Sequence, residues 1–246
     1  MTVMPSDLEI SQAVEALFSA TGPLDRIARW NALVPTDADL SAQFSQGQKQ
    51  VTYVPTYEFS ELIDFVHCFG NLLESHGQTE PNQIRVMLMV YCHVMESEFM
   101  LTLIWNQLRL LDGQQPSWRF TRITPRGKTV VCEYPREKFS EINTLAQRVG
   151  QPIGDIISCI WAPHLRNAFS HSRYWLGSAH VLPSVGLSPI SRNGPFASGK
   201  SRSYSFNEVR DRYRSARSML FAVASEHSKA CKAYNVLAPG GIRCQS

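Results

Sequence analysis

An arginine and a histidine stand five residues apart, as Arg166 and His171, in the run 165–174 (LRNAFSHSRY). A guanidinium is a permanently charged, forked donor that suits a phosphate group, and an imidazole is the side chain that most readily moves a proton near neutral pH. Together they suit a site that binds a phosphate group and moves a proton. The spacing alone is weak evidence, because 18 arginines and 7 histidines in 246 residues give roughly half a match by chance.

The run 165–174 is expected to occupy the first two turns of a short helix. Pro163 cannot continue a preceding helix, but it suits the first turn of a new one. At about 100° per residue, one narrow face should pack against the protein, and it comprises Leu165, Ala168, Phe169 and Ser172. The opposite face is polar and comprises Arg173, Arg166, Ser170, Tyr174, Asn167 and His171.

Two spacings on the polar face bear on its chemistry. Asn167 and His171 are four residues apart, so the amide is expected to hold the orientation of the imidazole. Arg166 and His171 should have their Cβ atoms on the order of 10 Å apart. Their side chains can converge on one phosphate, or on a groove shared with a second copy of the helix. The geometry permits a site without requiring one.

A long apolar segment from about Asn82 to Leu111 predicts a single central helix, about 45 Å in length. Glu96 interrupts its apolar surface, with Cys92 and Met100 four residues before and after it. Such an acid should be partly buried and should need a partner. It is either a carboxylate that orients an arginine or histidine of the site, or a structural or solvent-facing acid.

The remaining pattern predicts an all-α helical bundle with one or two small β-hairpin insertions. Further helices are expected at Phe59–Ser75, Arg136–Val149, Pro152–Trp161 and Phe206–Tyr234. The β-prone runs Trp118–Ile123 and Thr129–Tyr134 predict a hairpin, and the chain after Tyr174 looks extended. Residues 1–55 are interpreted as an acidic, partly helical extension, 56–236 as the helical domain and 237–246 as a flexible tail.

Composition argues against several classes of protein. The six cysteines are scattered and form no C-x-x-C pair, so we expect reduced thiols and no metal site. Residues 1–15 lack the basic and apolar regions of a secretory signal. The longest apolar run is shorter than the roughly 20 residues that a membrane span needs. We therefore expect a cytoplasmic protein without a membrane partner.

Charge is distributed unevenly along the chain. Residues 1–80 hold three bases and eleven acids, a net charge of −8, whereas residues 161–246 hold twelve bases and three acids, a net charge of +9. A basic final third fits a polyanion such as RNA, although the acidic front can equally pack against the basic back. On the last predicted helix, a basic ridge is either a solvated face or an RNA-binding surface. It comprises Arg210, Arg214 and Arg217.

The octapeptide Gly194–Ser201 (GPFASGKS) matches the phosphate-binding pattern G-x-x-x-x-G-K-[ST]. That chemistry needs a buried strand before the loop and a helix that starts at the lysine. The preceding residues contain Pro189 and Arg192, and the following ones have no apolar helical face. We expect a flexible basic segment here, and neither nucleotide binding nor any other cofactor.

The run from Arg166 through Asn167 to His171 resembles the motif of the HEPN superfamily of small helical-bundle proteins. An early helix that carries Glu96, an aromatic segment after the motif (174–176) and a capped final helix extend the resemblance over about residues 56–236. The resemblance implies a metal-independent endoribonuclease that acts as a homodimer, with both motifs facing one groove.

In that scheme His171 transfers a proton and Arg166 stabilises the charge of the transition state. Asn167 orients the pair, and Arg173 and Tyr174 line the groove. The products are a 2′,3′-cyclic phosphate and a 5′-hydroxyl. RNA, a second copy of the chain and an antitoxin or other defence protein are the implied partners. The alternative is a catalytically silent module of the same fold that binds RNA, a nucleotide or a protein.

Overall fold

The computed structural model describes residues 3–20, 55–74, 79–117, 119–172, 174–183 and 203–237. Within these ranges, most residues lie in eight helices, and these are α1 (Asp7–Ser19), α2 (Pro55–Glu74), α3 (Glu80–Glu96), α4 (Glu98–Leu111), α5 (Pro135–Arg148), α6 (Ile153–Ile160), α7 (Pro163–Ser170) and α8 (Phe206–Leu237). The described strands are β1 (Thr121–Ile123), β2 (Thr129–Val131), β3 (Tyr174–Leu176), β4 (His180–Pro183) and β5 (Tyr204–Ser205). The predicted all-α bundle with small β insertions is confirmed.

Helices α3 and α8 form the centre of the bundle and run parallel. At one end, Glu80 at the start of α3 forms an ion pair with Arg210. Beyond the other end of α3, the ring of Phe99 lies 5.8 Å from that of His227. Their buried apolar residues belong to one continuous core.

Helix α1 belongs to the same core, although it lies within the segment interpreted as an extension. It packs against α8 and buries Ile10, Val14 and Leu17 completely. Its first turn is closed by Ser6 and Glu9, whose side chains bond to each other's backbone N–H groups. This reciprocal capping satisfies two N–H groups that a helix start leaves open.

The prediction of one continuous helix over 82–111 was wrong, because α3 and α4 are separate helices that meet at an angle of 42°. Ser97 lies at the break, and its hydroxyl accepts a hydrogen bond from the backbone N–H of Met100 at 3.2 Å. Its ψ angle of 110° is not helical. A buried serine that caps a new helix competes with continuation of the old one, and the apolar periodicity does not reveal this.

The predicted hairpin over 118–134 is confirmed as β1 and β2, which pair antiparallel with Arg122 opposite Val130. The turn between them contains Gly127 at φ 73°. At the base of the hairpin, the ring of Phe120 stacks on that of Trp105 at 4.2 Å. This contact attaches the hairpin to α4.

A second small sheet follows α7, with strand order β3-β4-β5. Strand β5 directly precedes α8 and was not predicted, because two residues leave no periodic signal. At the start of α8, Ser205 and Glu208 form the expected reciprocal cap. The sheet therefore joins the end of α7 to the beginning of the longest helix.

Across the described ranges, the membrane-span criteria of length and hydropathy are met by no single helix, while the bent pair of α3 and α4 meets them jointly.

Candidate active site

The position of α7 is set by a buried tyrosine of α3. The hydroxyl of Tyr91 donates to the carbonyl of Ile160 at 3.1 Å and accepts from the backbone N–H of Ala162 at 2.8 Å. Burial raises the pKa of Tyr91 well above its usual value, so the hydroxyl stays protonated and can make both bonds. One side chain thus holds the end of α6 and the residue before α7.

Arg212 of α8 supports the same junction. Its Nη1 donates to the carbonyls of Cys159 and Ile160, at 2.8 and 2.7 Å, and its guanidinium lies over the ring of Tyr204. A cation is favoured at a helix C-terminus, where the carbonyls lack partners. The sequence reasoning did not single out Arg212. The available signal was its position on α8 beside the apolar residues Val209, Tyr213 and Ala216.

Pro163 occupies the first turn of α7, as its restricted backbone predicts. Leu165 and Ala168 are buried and Phe169 is partly buried, so these residues form the packing face. Ser172 does not join them. It is exposed, and its φ of 51° lies in the left-handed region, because the helix ends after two turns. The expected place of Ser172 on the packing face was wrong.

The guanidinium of Arg166 is held by two side chains. Its Nη2 donates to Oε2 of Glu96 at 2.7 Å and its Nε donates to Oε1, which makes a two-pronged ion pair. Its Nη1 donates to Oδ1 of Asn167 at 3.0 Å. Glu96 is partly buried and has an arginine partner, which is one of the arrangements foreseen for it. The carboxylate joins α3 to α7 across 70 residues of sequence.

The ion pair determines what Arg166 can still bind. A guanidinium carries five N–H groups, and three of them bond to Glu96 and Asn167. The other two have no partner among the residues that the structure describes, and 21% of the side chain is exposed. Hydrogen bonding to Glu96 raises the pKa of Arg166, so the group remains a charged donor. It can give two hydrogen bonds to a phosphate.

His171 follows the last residue of α7 as its C-terminal cap. Its backbone N–H donates to the carbonyl of Asn167 at 3.1 Å, while its imidazole lies on the exposed surface. Within the described part of the chain, no group hydrogen-bonds to that imidazole. The side-chain oxygen of Asn167 is bonded to Arg166. The expectation that this amide orients His171 was therefore wrong.

Two neighbours of the site have structural contacts. The ring of Tyr174, at the start of β3, lies 5.6 Å from that of Phe169 and is partly buried, so it packs against the apolar side of α7. Cys92 lies one turn before Glu96. Burial, helped by the charge of Glu96, raises the pKa of the Cys92 thiol to about 12, which keeps it protonated. Arg173 lies outside the described residues.

The basic ridge does not lie next to Arg166. Arg210 forms an ion pair with Glu80, Arg217 lies over the ring of Phe221, and Arg214 is largely exposed. Arg212 is displaced from the three ridge arginines by about 140–160° around α8. Since Arg212 contacts the α6–α7 junction, the ridge faces away from α7. RNA binding by the ridge stays a prediction.

The site therefore consists of one polar group from α3 and three from the short helix α7 and its cap, namely Glu96, Arg166, Asn167 and His171. In the described ranges, no group of three or more histidine, cysteine, aspartate or glutamate side chains is placed to hold a metal ion. The octapeptide 194–201 lies outside the described residues. In comparisons with known proteins, the chain matches no family model, no curated protein and no solved structure.

Proposed function

We propose that the protein is a metal-independent endoribonuclease of the defence or toxin type, related to the HEPN superfamily and acting on RNA in the cytoplasm. The observation that carries the proposal is the fixed guanidinium of Arg166 on α7, together with the exposed imidazole of His171 at the C-terminal cap of that helix. Glu96 and Asn167 hold the first group, and the second is exposed to substrate.

In the proposed reaction, the 2′-oxygen of a ribose attacks the adjacent phosphorus and the bond to the 5′-oxygen breaks. The proton of the 2′-hydroxyl must leave, and the departing 5′-oxygen must gain one. Imidazole serves as base or as acid in such steps because it exchanges a proton near neutral pH. The products are a 2′,3′-cyclic phosphate and a 5′-hydroxyl end.

Arg166 stabilises the negative charge that builds up on the phosphoryl oxygens. Donors that are already held in place require little reorganisation during the reaction, and this makes them effective. Glu96 supplies that rigidity, and the two remaining N–H groups of Arg166 supply the hydrogen bonds. Glu96 and Asn167 act on Arg166 and are therefore positioning residues.

A second copy of the chain completes the proposed site. On an ideal helix, residues five apart such as Arg166 and His171 have Cβ atoms on the order of 10 Å apart, and one imidazole cannot serve as base and acid at the same moment. Two copies of α7 that face one groove supply two imidazoles and two guanidiniums. An antitoxin or other defence protein would then regulate the assembly.

The test is incubation of purified full-length protein with RNA in EDTA, followed by analysis of the product ends. We expect cyclic phosphate ends from the wild type and no cleavage by His171→Ala or Arg166→Ala. His164→Ala and Arg85→Ala are matched controls, because both residues are exposed and His164 lies on the same helix. Cleavage that persists in the His171 and Arg166 variants contradicts the proposal.

A second candidate is a catalytically silent module that binds RNA, a nucleotide or a protein. The observation in its favour is the ion pair itself, since Glu96 neutralises Arg166 and leaves only part of it exposed. This candidate predicts polyanion binding that weakens steeply with salt, and no cleavage at any pH. The product analysis described above distinguishes the two functions.

A further inference from the structure

The β1–β2 hairpin exposes apolar side chains on its outer face. Opposite residues of an antiparallel pair share a face, and the register pairs Ile123 with Thr129 and Thr121 with Val131. Ile123 is 72% exposed and Val131 is 41% exposed, and the adjoining Tyr134 is 68% exposed. The hairpin and the helix start that follows it therefore expose two aliphatic side chains and one aromatic ring.

The same segment is strongly basic. Residues 119–136 contain five bases and one acid, Glu133, which gives a net charge of +4. Glu137 forms an ion pair with Arg122 at 3.4 Å. The other four bases are Arg119, Arg126, Lys128 and Arg136, and all four are exposed. No carboxylate of the described residues lies within ion-pair distance of these four side chains.

A chain of contacts connects the hairpin with the candidate active site. Lys138 of α5 is buried, lies 5.9 Å from the ring of Phe120 at the base of the hairpin and forms an ion pair with Glu98. Glu98 is two residues from Glu96, which holds Arg166. Two residues span at most about 7 Å, so the hairpin base and Arg166 lie at the same end of the bundle.

We propose that the β1–β2 hairpin is a binding arm for single-stranded RNA. The arm holds the strand that is cleaved at Arg166 and His171, and in this respect the inference rests on the proposed function. Exposed bases on the arm contact phosphates, and the ring of Tyr134 stacks on a nucleobase. Basic residues beside exposed aromatic rings are the usual combination for binding a single strand, because every base offers a flat face for stacking.

The distribution of side chains favours RNA over an anionic membrane. A hairpin that inserts into lipid needs apolar residues at its tip, whereas the exposed tip residues Pro125, Arg126, Gly127 and Lys128 include two cations. The apolar residues lie instead along the face of the hairpin. This arrangement lets bases lie on the face while phosphates meet the cations.

The test measures binding of the full-length wild-type protein to a short, unstructured 2′-O-methyl oligouridine over a range of salt concentrations. This probe lacks the free 2′-hydroxyl, so binding is measured without cleavage. The arm variant is Arg126→Ala with Lys128→Ala. The turn keeps its hydrogen bonds, since the N–H groups of Gly127 and Lys128 bond to Thr124, and truncating the two side chains leaves these in place.

The logarithm of the binding constant falls linearly with the logarithm of the salt concentration, and for a single strand each lost phosphate contact reduces the magnitude of this slope by about 0.7. Two lost contacts lower it by about 1.4 and weaken binding about 25-fold at 0.1 M salt. Tyr134→Ser should weaken binding about fivefold or more with the slope unchanged, because stacking releases no counterions. Serine is also a favourable residue at this helix start, so the fold is retained.

Lys229→Ala with Lys232→Ala is the matched control, since it also removes two exposed cations. It should change binding by no more than about twofold, because cations that do not contact the strand contribute only a long-range attraction that salt screens. Equal loss in the control and arm variants overturns the inference. So does binding to polyglutamate or to phosphatidylserine vesicles without binding to the oligonucleotide. If the arm variant loses binding while the wild type cleaves no RNA, the arm stands and the proposed cleavage fails.

Discussion

The hydroxyl of Tyr91 provides the sharpest test of how α7 is positioned. Tyr91→Phe removes one oxygen atom and keeps the ring, so the packing of α3 is preserved. The carbonyl of Ile160 keeps its bond from Arg212 at 2.7 Å. Among the residues that the structure describes, the N–H of Ala162 has no hydrogen-bond partner besides this hydroxyl, and Ala162 is buried. Leaving one buried N–H unpaired should destabilise the protein by about 2 kcal/mol.

For a chain of this size, about 2 kcal/mol corresponds to a decrease in Tm of about 4–8 °C, which thermal unfolding followed by circular dichroism measures directly. Tyr213→Phe is the matched control. Tyr213 is also buried, but its hydroxyl has no hydrogen-bond partner in the described part of the chain. Its removal should leave Tm unchanged or raise it, because a buried polar group without a partner is destabilising.

A similar decrease in Tm for the two variants would refute the reasoning. It would mean that loss of a phenol oxygen, and not loss of the α6–α7 bridge, sets the effect. Under the proposed function, Tyr91→Phe should also reduce RNA cleavage at a temperature where the variant is fully folded, since α7 carries Arg166. Tyr213→Phe should cleave as the wild type does.

Three further predictions follow from other contacts. Under the proposed function, Glu96→Gln should lower kcat for RNA cleavage roughly 100-fold, with little change in KM, because a misplaced Arg166 loses contact with the transition state. Ser97→Ala should lower the free energy of unfolding by about 1 kcal/mol in urea denaturation, because α4 loses its N-terminal cap. Burial lowers the pKa of His227 to about 4, so the unfolded chain binds more protons below pH ~6.5. Stability should fall by up to about 3 kcal/mol between pH ~6.5 and pH ~4.

Each of these predictions has a result that contradicts it. A Glu96→Gln variant with a raised KM and unchanged kcat indicates that the carboxylate affects binding only. Ser97→Ala with unaltered stability indicates that the break between α3 and α4 is maintained by packing and not by the cap. His227→Gln should flatten the acid side of the stability curve, and the exposed His67→Gln should not. Parallel curves for wild type and His227→Gln exclude His227 as the group responsible.

Local signals account for the elements that were predicted well. Pro163 starts α7, the Ser205–Glu208 cap starts α8, and Gly150, at φ 68°, follows the end of α5. Each acts on residues within one turn of itself, so neighbouring letters of the sequence are sufficient to find it. The break at Ser97 is local too, yet the strong apolar pattern around it favoured a single helix. A serine hydroxyl bonding three residues ahead has no periodic signature.

Contacts between distant residues were beyond the reach of the sequence. Glu96 was expected to need a partner because it lies among apolar neighbours, but many arginines were available to it. Only the packing of α7 against α3 selects Arg166. The same packing leaves Asn167 bonded to Arg166, and the His171 imidazole has no hydrogen-bond partner in the described part of the chain. The helix also ends one residue earlier than the motif, and this turns His171 towards the surface.

By itself, the sequence determined a helical bundle, the start of the motif helix and the presence of an arginine on that helix, because propensity, capping and periodicity act over a few residues. The tertiary structure decided which charges meet, where the long helix breaks and how α7 is held by Tyr91 and Arg212. Those outcomes depend on which buried polar groups come within hydrogen-bonding distance of each other, and that is settled only when segments about 50 to 70 residues apart pack together.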